Sequence, residues 1–143
     1  MRVIGLDIGS KRIGIAVSDE LGFTAQPVET LMSKGVEADL DRIVTLVDQY
    51  GADEIVVGVP YNMNGTEGPE AKKVRALMDK ISARLHIPVR EWDERLSTVA
   101  AERALLEADM SRAKRRKVID KLAAMIILQV YLDRRRNEVS PEP

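Results

Sequence analysis

Val3 to Ser18 (V-I-G-L-D-I-G-S-K-R-I-G-I-A-V-S) holds two dense runs of Val and Ile on either side of a tight polar turn. Such runs suit a pleated, buried surface and predict strands over Val3–Ile8 and Arg12–Ser18. Asp19–Gly22 has turn chemistry. Phe23–Leu31 then reads as a third strand, and Pro27 places it at a sheet edge. Val36, Leu40, Ile43, Val44 and Val47 recur at helical spacing before Gly51, which predicts a helix over Val36–Tyr50. Glu54–Val59 is a short continuous apolar run, the pattern of a strand buried on both faces. A polar loop follows, Pro60 to Thr66. Val74, Leu77, Met78, Ile81 and Leu85 mark one face of a helix that opens at Pro69 and ends near His86–Pro88. Val89–Trp92 is a brief strand. Ser97 can cap a helix running to about Ala108, and a basic, mobile-looking connection, Asp109–Lys117, leads to a final helix over Lys117–Arg135, apolar on most sides.

The predicted order is β-β-β-α-β-α-β-α-α. Hairpin-linked strands followed by alternating helices and strands imply an α/β fold, a mixed sheet covered by helices. No internal repeat or linker interrupts the pattern. The expectation is one domain over residues 1–136 and a disordered tail over residues 137–143.

Composition narrows the function classes. The 143 residues contain no cysteine, which excludes disulfides and thiolate metal sites. No signal peptide and no membrane-length apolar run is visible, so a soluble cytoplasmic protein is expected. Net charge is −1, but it is unevenly spread. Arg112–Arg136 carries +7, leaving −8 on the remainder. That polarity is compatible with one face that holds a polyanion, or with a solvated basic segment.

Three carboxylates carry the candidate chemistry. Asp7 interrupts the first strand near its end and is costly to bury without a partner. Strand carboxyl ends are where open α/β sheets build sites. Glu94 follows the last short strand by two residues, with Asp93 as a rival for its role. Asp120 lies in the final helix beside Ala123 and Ala124, whose small size lets the helix approach the sheet. Three carboxylates brought together repel one another unless a divalent cation neutralises them. Oxygen donors with a single histidine in the chain, His86, suit Mg²⁺ or Mn²⁺ rather than zinc. Such ions can activate water and stabilise the leaving oxygen of a phosphodiester.

Four segments in order, G-L-D-I-G-S-K-R-I-G-I-A-V-S-D, G-V-P-Y-N-M-N-G-T-E-G, D-E-R-L-S-T and D-K-L-A-A-M-I-I-L-Q, resemble the YqgF family of RuvC-like nucleases over nearly the whole chain. The resemblance implies a ribonuclease H-like fold with a five-stranded mixed sheet ordered 3-2-1-4-5. It implies a metal-dependent phosphodiesterase with Asp7, Glu94 and Asp120 as catalytic and metal-binding residues. The fourth strand ends Gly58-Val59-Pro60 without an acid, so Glu94 is expected to stand in from the fifth.

The resemblance further implies a nuclease maturing the 5′ end of precursor 16S ribosomal RNA, or a resolvase of Holliday junctions. A non-catalytic nucleic-acid binder of the same fold is the third reading. D-I-G-S also resembles the phosphate hairpin of actin-like ATPases, but those bind nucleotide between two domains. Asn62, Asn64 and Gly65 form a loop suited to a phosphate backbone or to a plain tight turn. Arg95 can pair with a phosphate or with Glu94. Lys114, Arg115, Arg116 and Lys117, with Arg134–Arg136, can hold phosphates without reading sequence. The partner expected is structured RNA, with branched DNA as the alternative, and the chain acts as a monomer or homodimer.

Overall fold

The computed structural model describes residues 1–96, 98, 101, 102, 104, 105, 108 and 112–139; for residues 112–118 and 139 it describes the backbone alone. Val3–Ile8 (β1), Arg12–Ser18 (β2) and Ala25–Met32 (β3) form an antiparallel meander. Val36–Tyr50 (α1), Glu54–Val59 (β4), Pro69–Arg84 (α2) and Val89–Asp93 (β5) follow, then a 3-10 turn, Glu94–Leu96, and helix α3, Arg112–Val139. The sheet order is β3-β2-β1-β4-β5, with β4 parallel to β1 and β5 parallel to β4. This is the mixed sheet that the residue pattern predicts and the strand order that the family resemblance implies.

The differences have local causes. β3 begins two residues late because the Asp19 carboxylate accepts the amides of Phe23 (2.7 Å) and Thr24 (3.3 Å), holding both in the turn. Pro27 sits beside a register shift between Ile15 and Ala16, where an irregular edge strand tolerates a residue without an N–H. The final helix exceeds its expected span at both ends. Residues 112–117 are helical rather than a connection, and Asn137–Val139 continue the helix rather than joining a tail. No Gly or Pro lies between Arg112 and Val139, and Lys and Arg are good helix formers. An Arg134–Glu138 pair (3.5 Å) supports the last turn. Of the helix expected over Ser97–Ala108, positions 101, 102, 104, 105 and 108 are helical, and the Glu102 amide bonds the Thr98 carbonyl at 2.9 Å. Ser97 and residues 109–111 and 140–143 lie outside the described residues.

Each face of the sheet has its own core. Ile4, Leu6, Ile13, Ile15, Ile55 and Val57 pack on α1 and α2 through Leu40, Ile43, Val74 and Ile81. Val3, Ala16, Val56 and Trp92 pack on α3 through Ala123, Ala124, Ile127, Leu128 and Leu132. The second face is thin where α3 crosses it. A Cβ on Gly14 would lie 1.9 Å from the Asp120 carbonyl oxygen, and one on Gly5 would lie 2.8 Å from Leu128 Cβ. Helix backbone therefore rests on strand backbone.

Polar bonds fix the helix at both sides of the sheet. Gln129 accepts the Ala25 amide and donates to the Phe23 carbonyl, each at 2.9 Å, at the start of β3. At the opposite side Glu54, 3% exposed, accepts from the Tyr131 hydroxyl, from Arg135 Nη1 (2.8 Å) and from Arg90 Nε (3.4 Å). A carboxylate this deep needs such partners.

Gly14→Ala should destabilise the fold by at least about 2 kcal/mol, because the new methyl meets backbone that cannot rotate away; urea unfolding measures it. Burial, and then the bond to Glu54, pushes the Tyr131 hydroxyl up to about 12. The folded chain keeps that proton where the unfolded chain loses it, near 10. Tyr131 therefore contributes stability that is complete below about pH 10 and lost as pH rises towards 12. In denaturation series across that window, Tyr131→Phe should show a shallower decline than the wild type.

Candidate active site

Asp7 lies near the carboxyl end of the central strand and is 8% exposed. Strand alternation turns it towards α3, on the same face as Val3 and Gly5. Its cross-strand neighbour on β2 is Gly14. On β4 the last recorded pair is Leu6 with Val57, so the next step brings Asp7 towards Gly58. The central carboxylate is thus flanked by two residues without side chains.

Each glycine admits one of the other carboxylate-bearing segments. The Asp120 backbone occupies the space above Gly14. The Glu94 side chain occupies the space above Gly58, where a Cβ would lie 3.2 Å from Glu94 Cγ and 3.3 Å from Oε2. Asp7, Glu94 and Asp120 consequently line one cleft of about 200 Å³, together with Ser10, Glu70 and Lys73. Gly14 and Gly58 are positioning residues that the sequence reading did not single out. Their signal was present, since an isolated glycine inside a strand pattern marks close approach of another segment.

Asp93 points elsewhere. Its carboxylate takes the Arg95 guanidinium (Nη2–Oδ2 2.6 Å, Nε–Oδ1 3.1 Å) and the Arg95 amide (2.9 Å). The Arg95 side chain holds the Asp93 carboxyl below the usual range. Glu94, not Asp93, is the acid of this pair that enters the cleft.

The remaining expected contact residues are mostly engaged within the fold. Arg95 also donates to the Met63 carbonyl (3.3 Å) and lies over the Tyr61 ring (5.7 Å). Asn62 and Asn64 bond the loop to itself: Asn62 Nδ2 to Thr66 Oγ1 (3.0 Å), and the Thr66 amide to Asn64 Oδ1 (3.1 Å). Gly65 turns the loop at φ 86°. Arg134, Arg135 and Arg136 each lie over an aromatic ring, respectively Trp92, Tyr131 and Phe23. Lys114, Arg115, Arg116 and Lys117 fall in the first turns of α3, and their side chains lie outside the described residues.

A family model described as "RuvX: Holliday junction resolvase" matches residues 1–134. The chain belongs to the RuvX family. This is the grouping that the four sequence segments indicated under the name YqgF. RuvX relatives named "Putative pre-16S rRNA nuclease" include a protein of Symbiobacterium thermophilum, 57% identical over 94% of both chains. Another, from Desulforamulus reducens, is 51% identical over 93% of this chain and 97% of its own. A third, from Clostridium botulinum, is 56% identical with the same coverage. Two solved structures share the fold at low identity. RuvC of T. thermophilus in complex with a Holliday junction substrate has a TM-score of 0.60 at 16% identity, over 99% of both chains. The fowlpox virus Holliday junction resolvase has a TM-score of 0.56 at 17% identity, over 94% of this chain and 99% of its own. The RuvX chain therefore has the RuvC-like, ribonuclease H-like fold.

Among the described residues of this RuvX chain, no three carboxylate or imidazole side chains already stand as a metal-holding group. The cleft offers carboxylate oxygens and no thiolate or imidazole, a donor set that fits a hard divalent cation in kind.

Arg95→Ala should release the Pro60–Thr66 loop while leaving the sheet intact. Hydrogen exchange at the Gly65 and Thr66 amides should rise by about tenfold or more, consistent with local opening at the low end of the stability range, with β1 and β4 amides unchanged.

Proposed function

We propose that this protein is a divalent-metal-dependent endonuclease acting on structured RNA in the cytoplasm, and that it matures the 5′ end of precursor 16S ribosomal RNA. The observation that carries this reading is the convergence of Asp7, Glu94 and Asp120 on one cleft over Gly14 and Gly58. The names of the 51–57% identical relatives support the substrate.

Asp7, Glu94 and Asp120 would hold Mg²⁺ or Mn²⁺. When bound, such an ion supplies a Lewis acid for the phosphate and lowers the pKa of its water. The chain's own part is placement. Asp7 is fixed by a central strand, Glu94 by a short turn and Asp120 by a long helix, so the three approach from different elements. Lys73, on α2, lines the same cleft and donates to the Ser10 carbonyl at 3.5 Å. Its ammonium offsets part of the negative charge that a phosphodiester adds to the cleft. Binding through phosphates rather than bases makes affinity salt-dependent and tolerant of sequence. The Holliday-junction reading keeps the same residues and chemistry and is favoured by the description of the family model.

Precursor 16S RNA and a synthetic four-way DNA junction should be tested side by side with Mg²⁺. The expected outcome is RNA cleavage that EDTA stops and added Mg²⁺ restores. Asp7→Asn should lose cleavage while melting like a folded protein. Full activity in that variant would overturn the mechanism, and junction cleavage without RNA cleavage would transfer the reading to a resolvase.

A further inference from the structure

A second hollow, of about 280 Å³, opens beside the cleft, towards α1 and α2. It shares Ile8, Gly9, Ser10 and Lys73 with the cleft, so the β1–β2 turn and one lysine form a sill between the two. Ile8 follows Asp7 on β1, and strand alternation turns their side chains to opposite faces. One strand end thus serves the cleft with a carboxylate and the hollow with an apolar side chain.

Helix α2 supplies a wall through Lys73, Ala76, Leu77 and Lys80. Their i, i+3, i+4, i+7 spacing makes one stripe along the helix, and the small Ala76 in its middle leaves space. Opposite elements leave space as well. A Cβ on Gly35 would meet nothing within 4 Å. Val36 belongs to the apolar repeat of α1, yet it lies outside both cores and is 42% exposed in the wall of the hollow. Ile13, 2% exposed, closes the bottom.

The charges around the hollow favour an anion. Among the described residues one carboxylate lines it, Asp39, which is 5% exposed and already accepts from the Ser33 hydroxyl (2.5 Å) and the Lys34 amide (3.1 Å). Lys73 and Lys80 are exposed, and neither is in an ion pair among the described residues. Lys73 Nζ reaches the Ser10 carbonyl at 3.5 Å, which holds its ammonium at the sill. Apolar walls with ammonium groups at the rim suit a flat, weakly polar body attached to an anion, and a nucleotide has that composition. The volume is that of about nine waters in the liquid, enough for one pyrimidine ring and too little for a base pair.

We propose that this hollow takes the base of the RNA nucleotide next to the phosphodiester in the cleft, with the flanking phosphates on Lys73 and Lys80. The proposal rests on reading the cleft as a nucleic-acid site, and it adds a pocket for one unstacked base.

The intact protein, with labelled Ile, Leu and Val methyl groups, is titrated with uridine 5′-monophosphate and, separately, with ribose 5-phosphate, which lacks a base. The nucleotide should shift the Ile8, Val36 and Leu77 methyl signals saturably, and the sugar phosphate should not. Equal shifts from both would leave an anion site only and overturn the proposal, as would no shift from the nucleotide. Ala76→Phe sets a ring in the hollow from an exposed helix position and should weaken nucleotide binding at least tenfold, with circular dichroism checking the fold. Wild-type affinity in that variant would also overturn the proposal. A single-stranded RNA of about ten nucleotides, with EDTA present, should shift the same methyls at lower concentration than the mononucleotide, the more so at low salt. Silent methyls while fluorescence anisotropy of labelled RNA shows binding would place the strand's bases elsewhere and defeat the assignment. Cleavage of precursor RNA, assayed with Mg²⁺ on the same preparations, separates the two readings. Cleavage without a methyl response defeats the pocket alone, whereas a methyl response without cleavage supports the pocket and defeats the nuclease.

Discussion

The approach of helix α3 onto the bare backbone of β1 and β2 is the constraint on which the rest of the structure depends. Ordinary side chains at residues 5 and 14 would hold the helix several ångströms higher. The positions of Ala123, Ala124, Ile127 and Leu128 against Val3 and Val56 would then open, and that half of the core would lose contacts. Fully buried aliphatic side chains contribute about 1.5–3 kcal/mol each, so the glycine floor is a stability device as much as a spacing device. The same approach sets the height of Asp120 above the sheet.

The cleft works against this stability. Asp7, Glu94, Asp120 and Glu70 gather negative charge at one end of the sheet, with Lys73 as the one cation lining the cleft among the described residues. The fold offsets the repulsion among them elsewhere, through Glu54 with its three donors on one side of α3 and Gln129 on the other. Both anchors lie on the C-terminal half of the helix, away from Asp120. The candidate acid of the helix is instead placed by direct backbone contact with Gly14.

The strands were legible because they are short Val/Ile runs bounded by turn residues, and the crossover rule made the later strands parallel to the first; their order across the sheet came from the family resemblance. The bounds of α1 and β4 coincide with the expected Val36–Tyr50 and Glu54–Val59, since Gly51 and the apolar run define them without tertiary help. The final helix was misjudged for the opposite reason. Its ends are marked by charge rather than by Gly or Pro, and charge does not stop a helix. In the cleft, the three carboxylates could be nominated from strand ends and a small-residue helix face, but the residue pattern alone left Asp93 beside Glu94, and only the family resemblance preferred Glu94. The choice depends on pleat direction and on the engagement of Asp93 by Arg95, both tertiary facts. The loop asparagines illustrate the same limit, because their bonds to Thr66 exist only once the turn is formed.

Helix α3 roofs one face of the sheet and also carries a wall of the cleft. A chain in which that helix has not docked lacks half its core and one of its three carboxylates at once. Partial folding therefore does not yield partial chemistry. On the proposed nuclease reading, this coupling would act as a safeguard, since a molecule with the helix undocked would lack part of the candidate site.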